Sequence, residues 1–585
     1  MKKIILVFFT LFALYSCSDQ VKKNKQNNKL PITLTTAKGG KFYGETLHVN
    51  SSEPITALFP ASVTDIYSQH VSSQIYEGLL KFDPNDLSIQ PAIASSYTID
   101  SLNKKYRFNI RKNVYFHNDP CFIDGKGRMV TAKDVKYVFE FLCSNHKMNA
   151  STIQWRTSIL GANDYFENKT DHVAGIKIID DFCIEIELNE PFSGFLNLLA
   201  LIHTSIFPKE AFEKYGPQLM NEMAIGTGPF EVLSIEDTFK LRKNSHYWRK
   251  DEFGNQLPLL SYINIQFDQN KSNELADFKK GELDFIWGLP VEEIPNVIGS
   301  LEDAKNGKNK EFTVQSINSL QVEYYGFLMK DSLLKNKALR KALNYAVNKN
   351  YIATYILEGS ALPATHGIIP TIHGYPNANV KGYAFSKQKA LYYLKRAGYT
   401  NGNQVKDLKL YYNNSGQIIE LVANSIQKQI SNILNIDLQL VQYERKDLFS
   451  KIENSVLPFW RFGWIADYPD PANFIASFHS KNINSASKSA NNYGLYNNPE
   501  FDFYFDKAMS ACNDSSRMLD LAMAENILME DAAVLPLFYY TSIRLINPQL
   551  RDFPINELEY RDYSLVYFTK EKKKRVRVYE SLSKE

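Results

Sequence analysis

The sequence predicts an α/β protein with mixed sheets and more than one domain. Strand and helix patterns alternate along all 585 residues. A chain of this length exceeds what one hydrophobic core usually supports. Yet no Pro-, Ser- or Gly-rich linker divides it, and no repeat has the period of a solenoid or a propeller. Lobes that share the chain discontinuously would explain its size without linkers.

The clearest elements of the N-terminal half are a strand and a helix. In "KKYRFNIRKNVYFH", Tyr106, Phe108 and Ile110 alternate with polar residues, which is typical of a half-buried strand. A helix is predicted to begin at Thr131, because Thr131 and Asp134 have the spacing of a capping box. The apolar side chains that share one face of this helix are Val135, Val138, Phe139 and Leu142.

Helix and strand patterns also alternate in the C-terminal half of the sequence. "NKALRKALNYAVNKNYIATYILEG" has apolar residues at helical spacing, and Gly359 is its expected C-terminal stop. "DLKLYYN" and "IDLQLVQYE" alternate as strands on either side of a helix predicted from Ile418 to Leu434.

The N-terminus predicts export and a lipid anchor. Lys2 and Lys3 precede an apolar stretch from Ile4 to Leu14, which is too short for a permanent transmembrane helix. The following "LYSC" resembles a bacterial lipobox, in which the cysteine, here Cys17, is diacylated. We therefore expect a signal peptide over residues 1–16 and a polar, lipid-anchored tether over 17–41. An ordinary secretion signal is the alternative.

Charge and cysteine usage exclude some functions. Removing residues 1–16 takes away two of the 67 basic residues and none of the 64 acidic ones, so the mature net charge is +1. A nucleic-acid binder normally carries a strong basic excess, so this net charge does not suggest nucleic-acid binding.

The remaining thiols allow two disulfides in three pairings, although a buried free thiol at Cys143 is equally plausible. These four cysteines are Cys121, Cys143, Cys183 and Cys512, and none lies in a CxxC arrangement that would suggest zinc.

A search for catalytic motifs finds none. The chain has no GxSxG, HExxH, Walker-type or EF-hand sequence. "GTGPF", from Gly226 to Phe230, lacks the Lys-Ser/Thr of a phosphate loop and predicts a tight structural turn. His366 and His373 have no third metal ligand close by in the sequence. We expect no catalytic residue, metal or cofactor.

The segment "GWIADYPDP", from Gly463 to Pro471, is the strongest candidate site. It follows "VLPFWRF", which is apolar enough for a buried strand, and its prolines exclude a helix. Acidic groups at the end of such a strand, flanked by aromatic residues, indicate binding. Asp467 and Asp470 could also form the acid/base pair of a secreted hydrolase, although no other hydrolase signature accompanies them.

The chain resembles the extracytoplasmic solute-binding proteins of ABC importers, in the peptide/nickel family. The resemblance runs from about Leu47 to Leu550. The motifs that carry it, in order, are "QIYEGLLKFD", "PAIASSYTI" with "YRFNIRKNVYFH", "VTAKDVKYVFE", "EPFSGFLNLLA", "GTGPFEV" with "LRKNSHYW", "KKGELDF", "ALRKALNYAVNK", "KALYYLKRAGY", "GWIADYPDP" and "AENILMEDAAVLPLFYY". Any one motif is weakly specific, but together and in this order they indicate the family.

The resemblance implies a two-lobed periplasmic-binding-protein clamp (class II-like) with an extra inserted domain. Lobe I would comprise 42–75, 196–318 and 534–585, and the inserted domain would cover 76–195. Lobe II would cover 319–533. Hinge strands are expected near Ser319–Tyr324 and Val534–Phe538, and the ligand would be enclosed when the lobes close.

The resemblance also implies a ligand site. In similar peptide binders a Trp-x-x-Asp at this point lies in the cleft and the Asp binds the ligand's α-ammonium; Trp464 and Asp467 match this spacing. Arg461 is a candidate for the ligand carboxylate, although strand residues three apart face opposite sides. Where some relatives use a histidine, this chain has an apolar residue near Ile418. The segment Ala61 to Tyr67 is expected to form the opposing wall.

The implied function is a monomeric, lipid-anchored receptor that captures peptides and delivers them to an ABC permease. It would face the periplasm or the cell exterior, attached to the membrane through Cys17. The alternatives are the same fold binding an oligosaccharide, a nickel complex or another small solute, or the secreted hydrolase.

Overall fold

A computed structural model describes residues 34–235, 238–289, 312–414, 416–483, 492–511 and 513–569. The predicted signal peptide, Cys17, the first part of the tether and Cys512 lie outside these residues. Within them, no helix is long and apolar enough to cross a membrane.

Strands are distributed along the whole described chain. They are β1 (Thr35–Thr36), β2 (Phe42–Tyr43), β3 (Thr46–Ser51), β4 (Leu80–Phe82), β5 (Ile89–Pro91), β6 (Ala94–Ile99), β7 (Lys105–Ile110), β8 (Ile176–Asp180), β9 (Cys183–Glu187), β10 (Phe230–Ile235), β11 (Phe239–Lys243), β12 (Tyr262–Phe267), β13 (Phe285–Trp287), β14 (Thr313–Phe327), β15 (Ala361–Pro363), β16 (Lys409–Asn413), β17 (Gln439–Tyr443), β18 (Phe459–Ile465), β19 (Val534–Ile546), β20 (Leu550–Arg551) and β21 (Tyr567–Phe568).

Helices separate most groups of strands. The α-helices are α1 (Ile66–Ile75), α2 (Ala132–Cys143), α3 (Thr152–Ser158), α4 (Ala162–Phe166), α5 (Phe195–Leu198), α6 (Lys209–Leu219), α7 (Lys271–Lys280), α8 (Lys337–Ala346), α9 (Lys349–Tyr351), α10 (Lys387–Arg396), α11 (Gln417–Leu434), α12 (Arg445–Glu453), α13 (Ala472–Ile475), α14 (Pro499–Met509) and α15 (Asp514–Glu530).

Local sequence chemistry explains several of these elements. Strand β7 buries Tyr106, Phe108 and Ile110 and exposes the residues between them, as predicted. Helix α2 begins with the predicted capping box, in which the Thr131 and Asp134 side chains each bond the other's backbone. Such a box satisfies amide donors that have no partner within the helix.

The long helix predicted to end at Gly359 is interrupted. Helix α8 stops at Ala346, because Val347 adopts an extended conformation. Asn348 then caps the short helix α9 by accepting a hydrogen bond from the Tyr351 amide. An asparagine side chain competes for backbone donors in this way and interrupts the helix, which resumes at Lys349 and continues as a π-helical turn, Ile352–Ile356, close to the predicted stop at Gly359.

The strands form three principal sheets. One has the order β10-β11-β12-β3, and a second, within the predicted inserted domain, has the order β6-β7-β9-β8. The largest has the order β13-β19-β14-β18-β16-β17, and β15 also pairs with β19. Parallel and antiparallel pairs occur together in it, which confirms the predicted mixed α/β class.

The largest sheet extends through both lobes because β14 and β19 are long. Their pairing shifts register between Asn318 and Val322, within the expected hinge region. At that level β14 faces Thr541 and Tyr539 of β19. The residues of β19 that precede this point, including Leu535, Leu537 and Phe538, pack in one hydrophobic cluster with helices α8, α10 and α11. The domain boundary at residue 534 stays a prediction.

Cysteine placement does not support the two-disulfide arrangement. Cys121, Cys143 and Cys183 are all free thiols. Cys143 is buried on the apolar face of α2, as the free-thiol interpretation expected. Burial raises the pKa of its thiol, so this cysteine is an unreactive core residue.

Candidate ligand-binding site

Strand β18 carries the aromatic and acidic segment into the centre of the largest sheet. Its residues Phe459 to Ile465 pair with Phe327 to Gln321 of β14. The chain leaves the sheet at Ala466, whose amide donates to the Leu320 carbonyl at 2.9 Å. Two prolines then delay the next helix, α13, until Ala472. Asp467 therefore lies in a loop immediately beyond a rigid strand.

Asn473 connects the two matched residues of the motif. Its Oδ1 accepts a hydrogen bond from Trp464 Nε1 at 2.9 Å and another from the Asp467 amide at 3.2 Å. Its Nδ2 donates weakly to Asp467 Oδ2 at 3.4 Å. The indole and the carboxylate are thus held as one unit. Asn473 was not among the predicted site residues.

Asp467 is exposed to solvent but lies in a confined space. Its surroundings exclude much of the bulk water, which raises the pKa of its carboxyl group, while Asn473 and the charge of His203 act in the opposite direction. Within the described ranges, no lysine or arginine forms an ion pair with it. A carboxylate in this position is suited to a cation that arrives from outside the protein.

His203 faces Asp467 from the N-terminal part of the chain. It lies in a single 3-10 turn, Ile202–Thr204, and its Nε2 donates to the Val63 carbonyl oxygen at 2.7 Å. Burial lowers the pKa of His203, which its bond to Val63 and the charge of Asp467 partly offset. Since Val63 belongs to the wall segment 61–67, this histidine links the predicted wall to Asp467. No sequence signal identified it.

Arg461 lies on the other face of β18. Its Nη2 donates to Glu323 Oε2 at 2.8 Å, and its Nη1 donates to Asn413 Oδ1 at 2.7 Å. The Tyr540 hydroxyl donates to the same Glu323 oxygen at 3.1 Å. Glu323 is almost fully buried, at 2% exposure, so this ion pair is internal. The structure therefore does not group Arg461 with Trp464 and Asp467.

Asp470 has a structural partner. Both of its carboxylate oxygens accept from Arg517 Nη2, at 2.7 and 2.6 Å, and both side chains are 4% exposed. Its Oδ1 also accepts from the Ala472 amide at 2.8 Å. An acid held in this way cannot act with Asp467 as an acid/base pair, so the structure contradicts that reading of the motif.

Comparison with known proteins identifies the family. A model of the bacterial extracellular solute-binding proteins, family 5 (middle), matches residues 88–486. The chain belongs to this family. Its members are substrate-binding transport proteins, which agrees with the predicted non-enzymatic function.

Relatives and solved structures extend the match over most of the chain. Oligopeptide-binding protein OppA of Bacillus subtilis is 27% identical, over 85% of this chain and 88% of its own. Heme-binding protein A of Haemophilus influenzae is 26% identical, over 84% and 87%. The periplasmic binding protein DppA of Helicobacter pylori, solved with the peptide STSA, superposes with a TM-score of 0.70 and 25% identity, over 91% and 99%. This superposition and the family match show that the chain has the two-lobed fold of the periplasmic binding proteins.

Proposed function

We propose that this protein is a receptor for peptides and that Asp467 binds the peptide's α-ammonium group. The observation that supports this most is that the Asp467 side chain is open to solvent, has a raised carboxyl pKa and forms no ion pair with a lysine or arginine among the described residues. An ammonium ion enclosed in a cleft needs such an opposite charge, because an unpaired buried charge costs several kcal/mol. Trp464 would form the adjacent apolar wall.

The edge of β18 offers hydrogen bonds for a peptide backbone. Strand β16 pairs with β18 through the single pair Tyr411 and Trp460. The stretch Arg461–Ile465 therefore has a paired strand only on its β14 side within the described chain. An extended peptide that pairs there would gain affinity through main-chain bonds, which do not depend on its side chains. Broad sequence tolerance follows from this arrangement.

Arg461 remains a predicted carboxylate ligand, and Glu323 argues against that role. An arginine that already has a buried carboxylate partner gains little by binding another anion, because it must give up that partner first. We therefore propose that Arg461 mainly fixes the strands β14, β16 and β18 relative to one another. On this basis the ligand carboxylate is not a strong determinant of affinity.

The cellular setting is also a proposal. Cys17 would carry the lipid anchor, residues 17–41 would form the tether, and the monomeric receptor would deliver its ligand to an ABC permease from the periplasm or the cell exterior. Two lipid chains on one cysteine would suffice for stable membrane attachment. Support comes from the lipobox pattern and from the family's role in transport.

Native mass spectrometry of protein that begins after Cys17 tests the ligand class. The protein is mixed with a graded peptide library, with oligosaccharides and with hemin, since one relative is a heme-binding protein. We expect one-to-one adducts with unmodified peptides, lost when the peptide N-terminus is acetylated. Adducts only with sugars or hemin would keep the fold and overturn the role of Asp467.

A further inference from the structure

A small cavity with mainly apolar walls and a few polar side chains lies apart from Asp467, between α1, α7 and the C-terminal segment of the chain. It is open to solvent on one side, and its inner space is about 30 Å³, which is room for one or two water molecules. The side chains that give it polar character are Tyr67, His70, Lys271, Glu274 and Arg561, and Trp287 forms an apolar wall. Tyr67 ends the wall segment 61–67, so the cavity adjoins the region proposed to face the peptide.

Arg561 is the unusual member of this group. It is only 6% exposed, and its guanidinium carbon lies 4.8 Å from the ring centre of Phe285 and 5.2 Å from that of Trp287. Its Nε and Nη2 have no hydrogen-bond acceptor. A buried guanidinium normally satisfies its donors, because an unpaired buried donor has lost its hydrogen bonds to water without replacing them.

The nearest acid does not compensate this charge. Arg561 Nη2 lies 3.5 Å from Glu559 Oε2, but Arg544 Nη2 approaches the same oxygen to 2.6 Å. One carboxylate is thus shared between two buried guanidinium groups. Lys271 Nζ and Glu274 Oε2 are 2.7 Å apart, so these two opposite charges compensate each other. Arg561 therefore has no carboxylate partner of its own at hydrogen-bond distance among the described residues.

His70 shows that the field of these cations reaches the cavity. Burial and the charges of Arg561 and Arg544 lower its pKa well below the ordinary value, while its Nε2 donates to the Glu559 carbonyl oxygen at 3.0 Å. The imidazole therefore stays neutral and adds no charge. The hydroxyl of Tyr67 and the phenol of Tyr563, which interacts with Arg561, complete a set of neutral polar groups.

We propose that this cavity binds a carboxylate group whose charge is met by Arg561. A planar guanidinium matches a carboxylate in shape as well as in charge, and stacking on aromatic rings fixes its orientation. The source of the carboxylate is either a free small organic acid or an acidic side chain of a captured peptide. The first source does not depend on the proposed peptide function.

Calorimetry distinguishes the two sources. Glutarate is titrated into the mature wild-type protein, and then two peptides that differ only by Glu in place of Gln are compared. We expect either one-to-one glutarate binding or tighter binding of the Glu peptide, and at least a tenfold loss of that effect in Arg561→Met. Arg561→Lys should restore part of it.

Controls separate a local effect from misfolding. Arg107→Met removes an exposed arginine paired with Glu185 in the inserted domain, and it should leave glutarate and Glu-peptide binding unchanged. If Arg561→Met does not fold, Lys271→Gln gives the second test, since it leaves Glu274 unpaired and should weaken anion binding several-fold. Absence of both glutarate binding and Glu preference in the wild type overturns the proposal, and so does either effect persisting in Arg561→Met.

Discussion

Asp467 and Asp470 are three residues apart in one loop, yet their surroundings differ in kind. Asp470 is closed from solvent and makes a two-oxygen contact with Arg517. The Asp467 side chain is exposed to solvent, and its carboxylate accepts only a weak hydrogen bond from Asn473. The first arrangement stabilises the fold, whereas the second leaves a charge available to a ligand. The same residue type in the same motif thus serves two purposes, and the partner decides which.

The largest expected effect is the loss of the internal pair. Asp470→Asn should lower the free energy of unfolding by about 3–5 kcal/mol, because Arg517 would remain buried without a counter-charge. Chemical denaturation of the two proteins measures this difference. Unchanged stability would mean that Arg517 finds another acceptor and that Asp470 does not stabilise the fold.

Asp467→Asn should act on binding instead. We expect peptide affinity to fall by about 2–5 kcal/mol, the usual cost of removing one partner of a desolvated charge pair. The free energy of unfolding should stay the same or rise slightly, since the raised pKa of Asp467 means that its ionised form does not stabilise the fold. Calorimetric titration and denaturation of the same preparation report both quantities. A stability loss as large as that of Asp470→Asn would contradict the distinction.

A third acid, Glu323, pairs with Arg461 inside the protein, and its removal should change how Arg461 interacts with a ligand. Glu323→Gln removes the internal partner of Arg461, so a ligand carboxylate that reaches it should gain about tenfold in affinity, the scale of one charge-assisted hydrogen bond. The measurement compares a peptide acid with its C-terminal amide. In the wild type we expect the two to bind within a few-fold of each other, and a strong preference for the acid there would show that Arg461 binds ligand despite Glu323.

The smallest effect concerns pH. Because the pKa of Asp467 is raised, its carboxylate destabilises the folded state above that pKa, and this cost disappears as the pH falls. Asp467→Asn should therefore be slightly more stable than the wild type near neutral pH, and the two should converge in acid. Peptide affinity should fall over the same acidic range, and further where His203 becomes protonated beside Asp467. A flat affinity profile in the wild type would contradict this.

The features that could be predicted from the sequence are those that depend on residues close together in the chain. The alternation around Phe108 and the capping box at Thr131 depend on neighbours in the chain, and both are present. Strand parity also placed Arg461 and Trp464 on opposite faces. The partners of the candidate residues were not predictable in this way. His203 interacts with Asp467, whereas Glu323 pairs with Arg461 on the other face of β18. Both partners come from distant sequence positions, and only the folded chain reveals them.

Binding of the peptide's free amine by Asp467 can be measured with a cycle of four titrations. Wild-type protein and Asp467→Asn are each titrated with one peptide and with its N-acetylated form. If the carboxylate and the ammonium interact, each change alone should cost about 2–5 kcal/mol, and the second should add little once the first is made. Additive costs, or wild-type binding that is indifferent to acetylation, would contradict the account.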